Sequence, residues 1–417
     1  DGPIQLKFRW VNNHPPLLRY GTAMDFEETD EQSMIRQLVR DFAEEVLAPT
    51  ASQRDKEQRP PIEEWEKFCE MGLQSMTIPE EYGGNPLDDI SEAIVVEELA
   101  RVDASFSVMF CVHVGLCSAT IAIHGNEQQK SKYLPMLARG EIGAYSLSEA
   151  GSGTDAAAMS CSAKLSEDGT HYILNGEKMW VSNGSTAGIY VLFAKDVDHP
   201  EFGVRSHGGT TAFIIEKDFP GFSVGKKEDK LGIRSSDTCS LVLKDCMVPI
   251  ENVLRAAGEG FPIAMNALDN SRIGIAAQAL GIAQGAYETA LNYAQQRTTF
   301  GKPISRHQSI GNYLADMATK ISAARLVVYK ASWAKGNHYH SGGPRHTTEA
   351  SMAKLLAGDT AMWVAERAVQ VLGGYGYTTD FPAERFFRDA KITQIYEGTQ
   401  EVQRIVINRA ISSKRSE

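Results

Sequence analysis

The chain has 417 residues, of which 42% are hydrophobic and 23% are charged, and its formal net charge at pH 7 is -11. These proportions are typical of a folded globular protein and exclude an intrinsically disordered chain. The acidic balance disfavours nucleic-acid binding, because that function needs clustered cations to neutralise phosphates. We therefore expect no nucleic-acid partner, and any anionic ligand must be held by a few local cations.

The six cysteines include no Cys-x-x-Cys pair, and none stands at metal-ligand spacing from a histidine. Zinc sites usually show such spacing, and free thiols are typical of a reducing compartment. We therefore predict free cysteines and no metal site.

The first part of the chain is predicted to be an N-terminal helical domain, residues 24–143. Residues 1–23 lack both helical periodicity and the apolar core of a signal peptide, so we expect an extension or the remnant of a processed leader. The first helix begins at a capping box of Thr29 and Gln32 and is predicted to end at Pro49.

Further helical patterns follow at residues 61–73, 89–103 and 126–140. The most apolar stretch, residues 105–123, is interrupted by His113 and by small polar residues, and it lacks the charged flanks of a membrane span. It predicts a buried helix, so we expect no membrane span.

Residues 144–255 are predicted to form a small β domain, a barrel or a sandwich. Within "HYILNGEKMWVSN", residues 171–183, Asn175-Gly176 predicts a hairpin between two short strands. Strand patterns also cover residues 189–195, 210–216 and 238–249.

Residues 256–417 are predicted to form a C-terminal four-helix bundle. Three long helical patterns run from Phe261 to Gly373, and a short last helix begins after Gly398. The middle pattern has apolar residues at alternating spacings of four and three, which is typical of a bundle seam. The predicted fold class is mainly α with a central β domain.

The loop "SEAGSGTDAA", residues 148–157, has the spacing G-x-G-x-x-A of a dinucleotide-binding fingerprint. That motif requires a helix directly after the glycines and an acidic residue about twenty positions later. A β pattern follows instead, which argues against a nicotinamide-binding fold. What remains is a loop of small residues that a ligand can approach closely.

Three further stretches are more specific: "RTTFGKPISRHQ" from Arg297, "QVLGGYGY" from Gln370 and "IYEGTQEVQR" from Ile395. Together with "YSLSEAGSGTD", "MWVSNG" and "LDNSRIGIAAQALGIAQGAYE" they resemble the acyl-CoA dehydrogenase family, in order and from about residue 24 onward. Short-chain (butyryl-type) and short/branched-chain members look most similar. The resemblance implies FAD, an acyl-CoA substrate, a homotetramer built from dimers, and electron transfer to an electron-transferring flavoprotein.

The implied reaction removes an α proton and a β hydride from an acyl-CoA thioester and yields the trans-2-enoyl-CoA. Because the α proton is weakly acidic, the site needs a base of raised pKa and donors to the developing enolate oxygen. The resemblance assigns the base to Glu397. Without the resemblance, Glu397 would be interpreted as a solvent-exposed residue at the start of a helix whose N-cap is Thr399. Some relatives carry the base at the position of Ser271, which cannot serve.

The resemblance also assigns binding residues. The acyl-CoA would be contacted by Thr154, Asp269, Arg272, Tyr396 and Gly398, although Asp269 and Arg272 also suit a plain ion pair three residues apart on a helix. FAD would be contacted by Tyr145, Leu147, Ser148, Trp180, Ser182, Arg297, Thr299, Phe300, Gln308, Gln370, Gly373, Gly374, Thr399 and Glu401. Of these, Arg297, Thr299, Phe300, Gln308, Gln370 and Gly374 would reach the flavin of a neighbouring subunit.

Several alternatives remain open from the sequence. Without the resemblance, Trp180 on a strand would be a core residue, and Gln370 with Gly373 would form a helix cap. His113 is either a core histidine or part of the acyl pocket. A relative of the same fold would act on a cyclic or dicarboxylic-derived acyl-CoA or pass electrons to oxygen, and a non-catalytic scaffold would have lost the chemistry. The compartment is expected to be a mitochondrial matrix or a bacterial cytoplasm.

Overall fold

The structure, a computed structural model, describes residues 27–412, so the expected leader remnant lies outside the described residues. The N-terminal part is helical: α1 (Asp30–Phe42), α2 (Ala48–Glu57), α3 (Ile62–Cys69), α4 (Asp89–Val102), α5 (Ala104–Cys111), α6 (Ala119–His124) and α7 (Glu127–Ala138). Turns of π-helix at Ala43–Leu47 and Val112–Ser118 join α1 to α2 and α5 to α6.

Helix α1 begins as predicted but does not end at Pro49. The Thr29 hydroxyl accepts from the Gln32 amide, and the Gln32 side chain accepts from the Thr29 amide, which completes the capping box. The helical path then continues through Ala43–Leu47 into α2. The prediction was wrong because the wider π turn places Pro49 in the first turn of α2, where a proline is tolerated.

The apolar stretch forms the continuous helical segment Ala104–His124. By length and composition alone it is long and apolar enough to cross a membrane, but 83% of its apolar window is buried inside the protein. Burial of this kind is typical of a core helix, as the sequence predicted. His113 lies in its π turn and is completely buried.

The central unit is a seven-stranded sheet of β1 (Gly143–Ser146), β2 (Ser162–Leu165), β3 (His171–Ser182), β4 (Ile189–Asp196), β5 (Thr210–Glu216), β6 (Phe222–Lys227) and β7 (Thr238–Pro249). The strand order is β1-β4-β2-β3-β7-β6, with β5 also paired to β4. Strand β4 pairs in parallel with β1 and β2, and the other pairs are antiparallel.

The predicted hairpin at Asn175-Gly176 is wrong, because both residues lie inside the single strand β3. The pairing of β3 with β7 shifts register between Leu174 and Gly176, so the Asn-Gly pair forms an irregularity instead of a turn. Gly176 has φ of +144°, and a Cβ there would lie 2.9 Å from the Cα of Cys161. Glycine is therefore needed at this bulge for conformation and for space.

The C-terminal part contains α8 (Gly260–Gln296), α9 (Gln308–Ser341), α10 (Thr347–Leu372), α11 (Ala383–Ile392) and α12 (Gln400–Ser412), with a short ribbon of β8 (Thr298–Thr299) and β9 (Lys302–Pro303). The predicted seam of α9 is buried from Leu314 to Ala331 at its four-three spacing. Helix α8 packs against α4, α9 and α10 and so joins the N-terminal helices to the bundle. Helices before and after a central sheet confirm the predicted fold class.

Candidate active site

Glu397 and Gly398 form a tight left-handed turn between α11 and α12, with φ angles of +54° and +93°. The Glu397 carbonyl accepts hydrogen bonds from Arg272 Nε at 3.2 Å and Gln403 Nε2 at 3.3 Å. The Gly398 carbonyl accepts from Lys354 Nζ at 2.7 Å and Gln403 Nε2 at 2.8 Å. Helices α8, α10 and α12 thus each supply a donor that holds the turn, which offsets the strain of positive φ at a glutamate.

The Glu397 carboxyl group lies beside α8, and the space around it is referred to as the Glu397 pocket. Burial raises its pKa to about 7, while the Ser271 hydroxyl, which donates to Oε2, and the charges of Arg272 and Lys354 act to lower it. A carboxylate with this pKa is suited to take a proton near neutral pH. Ser271 is therefore a donor to the Glu397 base candidate.

The backbone N–H of Glu397 makes no hydrogen bond within residues 27–412. The Glu397 and Gly398 carbonyls are both engaged, so the turn presents the Glu397 N–H as a free donor beside its own carboxylate. A donor and a base on one residue are what abstraction of a proton next to a carbonyl requires.

Two tyrosines border the same pocket. The Tyr145 hydroxyl on β1 is buried and has no hydrogen-bond partner within the described chain, and burial, then the Glu397 charge, raises its pKa. The Tyr396 hydroxyl donates to Gln278 Oε1 on α8. An orphaned hydroxyl in a buried position is an opening for a ligand oxygen, so Tyr145 fits its predicted place at a cofactor.

Asp269 and Arg272 form an ion pair of 2.7 Å on one face of α8. The plain ion-pair interpretation therefore holds, and the same Arg272 reaches the Glu397 turn. Thr347 Oγ1 donates to the other carboxylate oxygen of Asp269 at 2.6 Å. The pair lies at the edge of the Glu397 pocket, where the sequence predicts a CoA contact.

A buried ion pair anchors the glycine-rich loop. The Glu149 carboxylate accepts from Lys178 Nζ at 2.9 Å and from the amides of Ser160 and Cys161 at 2.6 and 3.0 Å. Lys178 also donates to the carbonyl of Leu147 at 3.1 Å. Sequence reasoning missed this pair, because Lys178 follows Glu177 and reads as a solvated strand residue.

The anchor places the loop next to the exposed part of β3. The Met179 amide donates to the Ser148 carbonyl at 2.9 Å, which brings Ser148 beside Trp180. Trp180 has φ of +56° and is 54% exposed, because the register against β7 shifts between Lys178 and Val181. Its alternative interpretation as a core residue is wrong. Ser182, two residues further, is half-buried.

The loop itself leaves room above it. A Cβ at Gly151 or Gly153 would meet no atom within 4 Å, and Thr154 is exposed. Free space over small residues, beside an aromatic face, is compatible with a planar ligand lying along Trp180.

A second region contains the predicted phosphate-binding residues. A cleft of about 520 Å³ is lined by Arg297, Thr299 and Gly374 among others. Arg297 is exposed and forms no ion pair within residues 27–412, and a Cβ at Gly373 or Gly374 would meet open space. A free guanidinium beside exposed backbone fits a pyrophosphate. The Gly373 amide also caps α10 through the Gln370 carbonyl, so the cap interpretation holds too.

The remaining predicted residues lie on the surface or act locally. Phe300 is 96% exposed, and Gln308, Gln370 and Glu401 are exposed. Thr399 Oγ1 accepts from the Val402 amide at 3.4 Å, which caps α12.

His113 is a satisfied core histidine. Gly143 N–H donates to Nδ1 and Nε2 pairs with the Gln74 carbonyl, both at 3.1 Å, and burial lowers the pKa to about 4. Both ring nitrogens are therefore engaged, and the ring is neutral at physiological pH.

The two regions are far apart within one chain. Arg272 and Gln296, the last residue of α8, are separated by about 36 Å of helix at 1.5 Å per residue. The structure brings Glu397, Asp269, Arg272, Tyr396, Gly398 and Tyr145 together, and it places Arg297, Thr299 and Gly374 elsewhere.

Comparisons with known proteins cover nearly the whole chain. Three family profiles match: acyl-CoA dehydrogenase, N-terminal domain, at residues 29–141, its middle domain at 144–246 and its C-terminal domain at 258–412. The short-chain-specific acyl-CoA dehydrogenase of Clostridium acetobutylicum is 47% identical over 93% of this chain and 100% of the relative. The mitochondrial short-chain-specific enzyme of Rattus norvegicus is 44% identical over 91% of this chain and 90% of the relative.

Solved structures agree. Butyryl-CoA dehydrogenase of Megasphaera elsdenii superposes with a TM-score of 0.88 at 45% identity, over 93% of this chain and 100% of that one. A structure described as the electron transferring flavoprotein of Acidaminococcus fermentans contains a chain with a TM-score of 0.88 and 48% identity, over 93% and 99% of the two chains.

Proposed function

Because this chain belongs to the acyl-CoA dehydrogenase family and is thus an FAD-dependent oxidoreductase acting on acyl-CoA, we propose that it dehydrogenates a short acyl chain with Glu397 as the base. The substrate class is a straight or 2-methyl-branched short-chain acyl-CoA. The observation that carries the base assignment is the Glu397 carboxyl, with a pKa of about 7, next to its own free N–H in a turn held by three helices.

In the proposed reaction the Glu397 carboxylate takes the α proton of the thioester, a hydride leaves the β carbon, and the trans-2-enoyl-CoA remains. FAD, when bound, supplies the hydride acceptor. The free N–H of Glu397 stabilises the negative charge that develops on the thioester oxygen, because a donor placed in advance costs no reorganisation. Tyr396 lines the pocket, with its hydroxyl turned to Gln278.

Two charged residues lie at the edge of the Glu397 pocket, where the CoA portion of the substrate is proposed to bind. Asp269 pairs with Arg272, and Arg272 also holds the turn. Both residues would contact the CoA portion together with Thr154 and Gly398. A short acyl chain is supported by the relatives, whose described specificity is short-chain.

The residues proposed for FAD divide into the two regions. Tyr145, Leu147, Ser148, Trp180 and Ser182 would hold the flavin end, with Thr399 and Glu401 near the base. Arg297, Thr299, Phe300, Gln308, Gln370, Gly373 and Gly374 lie in or near the cleft at the far end of α8. About 36 Å of α8 separates Arg272, beside the Glu397 turn, from Gln296 at the cleft end, so we propose that the two regions of one chain serve different FAD molecules. The arrangement supports a homo-oligomer, for which we propose a tetramer built from dimers.

We propose an electron-transferring flavoprotein as the electron acceptor, since a similar chain occurs in a structure of such a flavoprotein. Domain boundaries near residues 143/144 and 255/256 are proposed as well. The curated relatives are bacterial and mitochondrial, which supports a matrix or bacterial cytoplasmic location.

Anaerobic titration of the bound flavin with acyl-CoAs of increasing length and branching tests the substrate class. We expect the fastest bleaching with four- or five-carbon chains. Fastest bleaching by a long, cyclic or dicarboxylic-derived acyl-CoA would contradict the proposal. Turnover on oxygen as rapid as with an electron-transferring flavoprotein would contradict the proposed acceptor.

A further inference from the structure

Lys354, the eighth residue of α10, is a completely buried lysine. Its ammonium donates to the Gly398 carbonyl at 2.7 Å and to Gln400 Oε1 at 3.2 Å. It forms no ion pair within residues 27–412. Taking an ammonium out of water is costly, so a buried lysine usually pairs with a carboxylate. The ammonium of Lys354 instead donates to two oxygens of the residues that follow Glu397, the Gly398 carbonyl and Gln400 Oε1.

Lys354 differs from the other donors to this turn. Gln403 comes from α12, directly after the turn, and Arg272 is engaged with Asp269 as well. Among the described residues, Lys354 is the one lysine that links the turn to α10. Fixing the Gly398 carbonyl holds the Gly398–Thr399 peptide, the C-terminal side of the turn, and so limits how far the turn that carries the Glu397 side chain can rotate.

The charge of Lys354 also acts on the carboxyl of Glu397. It lowers the pKa of Glu397, which burial alone would raise further, while burial lowers the pKa of Lys354 itself to about 8. The other polar or titratable groups facing this pair are Ser271 and Arg272 of α8, Asp359 of α10, Glu401 of α12, Cys111 of α5, Tyr145 of β1 and Tyr396. Arg272 lowers the Lys354 pKa, whereas the carboxylates of Glu397, Asp359 and Glu401 raise it.

We propose that Lys354 is a positioning residue for the reaction: its ammonium fastens the Glu397–Gly398 turn to α10, and its charge favours the ionised form of the Glu397 carboxyl. The inference rests on the proposed role of Glu397 as the base. A lysine that merely fills the core would affect stability but would not affect proton transfer at Glu397.

The test uses FAD-loaded Lys354→Met, which keeps the length and removes the charge, and Lys354→Gln, which keeps a donor. Lys226→Met is the control, because Lys226 is exposed. We expect both Lys354 variants to move the acidic limb of kcat/KM upward by about one pH unit, with about fivefold lower kcat/KM at pH 7. The control should match the wild type.

A second readout isolates proton transfer. Acetyl-CoA has α protons but no β carbon, so it exchanges protons for deuterium in D₂O without being oxidised, and NMR follows the exchange. We expect slower exchange in both Lys354 variants at equal FAD content. The proposal would be overturned if both Lys354 variants kept the wild-type acidic limb of kcat/KM and the wild-type exchange rate, even if their thermal stability falls.

Glu397→Gln separates this proposal from the one it rests on. If Glu397→Gln exchanges at the wild-type rate, the base assignment fails, and the role of Lys354 fails with it. If Glu397→Gln abolishes exchange while Lys354→Met and Lys354→Gln behave as wild type, the inference about Lys354 alone is overturned.

Discussion

Ser271 donates a hydrogen bond from its hydroxyl to the carboxylate of Glu397, although 126 residues separate the two in the chain. The hydroxyl stabilises the ionised form of the carboxyl and so opposes burial, which together with the other groups around Glu397 leaves its pKa at about 7. The serine at this position is therefore part of what tunes the proposed base.

Replacing Ser271 by Ala removes that donor, so the pKa of Glu397 should rise further above its usual value. The acidic limb of kcat/KM should move to higher pH by roughly half a unit to one unit, while the rate at high pH stays close to the wild type. A pH profile from 5.5 to 9 measures this. Ser332→Ala is the control, because Ser332 is buried in α9 and donates to the Val328 carbonyl. An unmoved or lowered limb in Ser271→Ala would contradict the argument.

Replacing Glu397 by Gln removes the proposed base but keeps the size of the side chain. General-base catalysis contributes about 10²- to 10⁴-fold, so kcat should fall by at least that much, and substrate should no longer bleach the flavin. FAD should remain bound. The exposed Glu366 of α10 offers the matched control Glu366→Gln. Retained bleaching by Glu397→Gln would assign the base elsewhere.

The Glu149–Lys178 pair should matter for FAD retention, since it anchors the loop beside Trp180. Lys178→Met leaves a buried carboxylate without its cation, which should cost about 3–5 kcal/mol of unfolding free energy. The double variant Glu149→Gln/Lys178→Met should recover part of that loss. Thermal unfolding and the ratio of FAD to protein measure both effects. A single variant as stable and as fully loaded as the wild type would refute the anchoring role.

Asp389 of α11 should make stability depend on pH. Burial raises its pKa to about 7, although the Ile233 amide and the charges of Arg385 and Arg388 oppose this. Since the folded pKa lies above the usual value of about 3.9, the protonated form stabilises the fold below that value, and this contribution is lost as the pH rises through about 7.

Asp389→Asn keeps an oxygen that can accept from Ile233, and it does not ionise. The difference in unfolding midpoint between Asp389→Asn and the wild type should therefore grow in favour of the variant between pH 5 and pH 8. Thermal unfolding at fixed FAD and protein concentration measures it. A difference that stays constant with pH would show that Asp389 does not titrate in this range.

Much of the fold followed from local patterns, because caps and periodicity report on neighbours in the chain. The capping box at Thr29 and the seam from Leu314 to Ala331 were predicted correctly for that reason. The turn predicted at Asn175-Gly176 is wrong because the same two residues suit a hairpin turn and a β-bulge equally well. Only the pairing of β3 with β7 decides between the turn and the bulge.

The candidate site was predictable only in part. Glu397 stood out through the family resemblance, not through its own surroundings, since an acidic residue before a helix is common. Lys178 and Lys354 gave no signal, because a buried lysine and a solvated one look alike in sequence. Both roles depend on contacts with segments 29 and 44 residues away.

Mixed oligomers test whether Arg297 serves a neighbouring subunit. Arg297→Met and Glu397→Gln should each be inactive or nearly so, the first through weaker FAD binding and the second through loss of the base. If FAD lies between subunits, a mixed dimer has one site with neither defect, because one subunit supplies Glu397 and the other supplies Arg297. Co-expression should then restore up to about a quarter of wild-type activity, since half of randomly assembled dimers are mixed and each has one intact site. If each FAD instead lies within one chain, every site of a mixed dimer carries one of the two defects, and co-expression restores no activity. That result would place Arg297 and Glu397 at the same FAD within one chain.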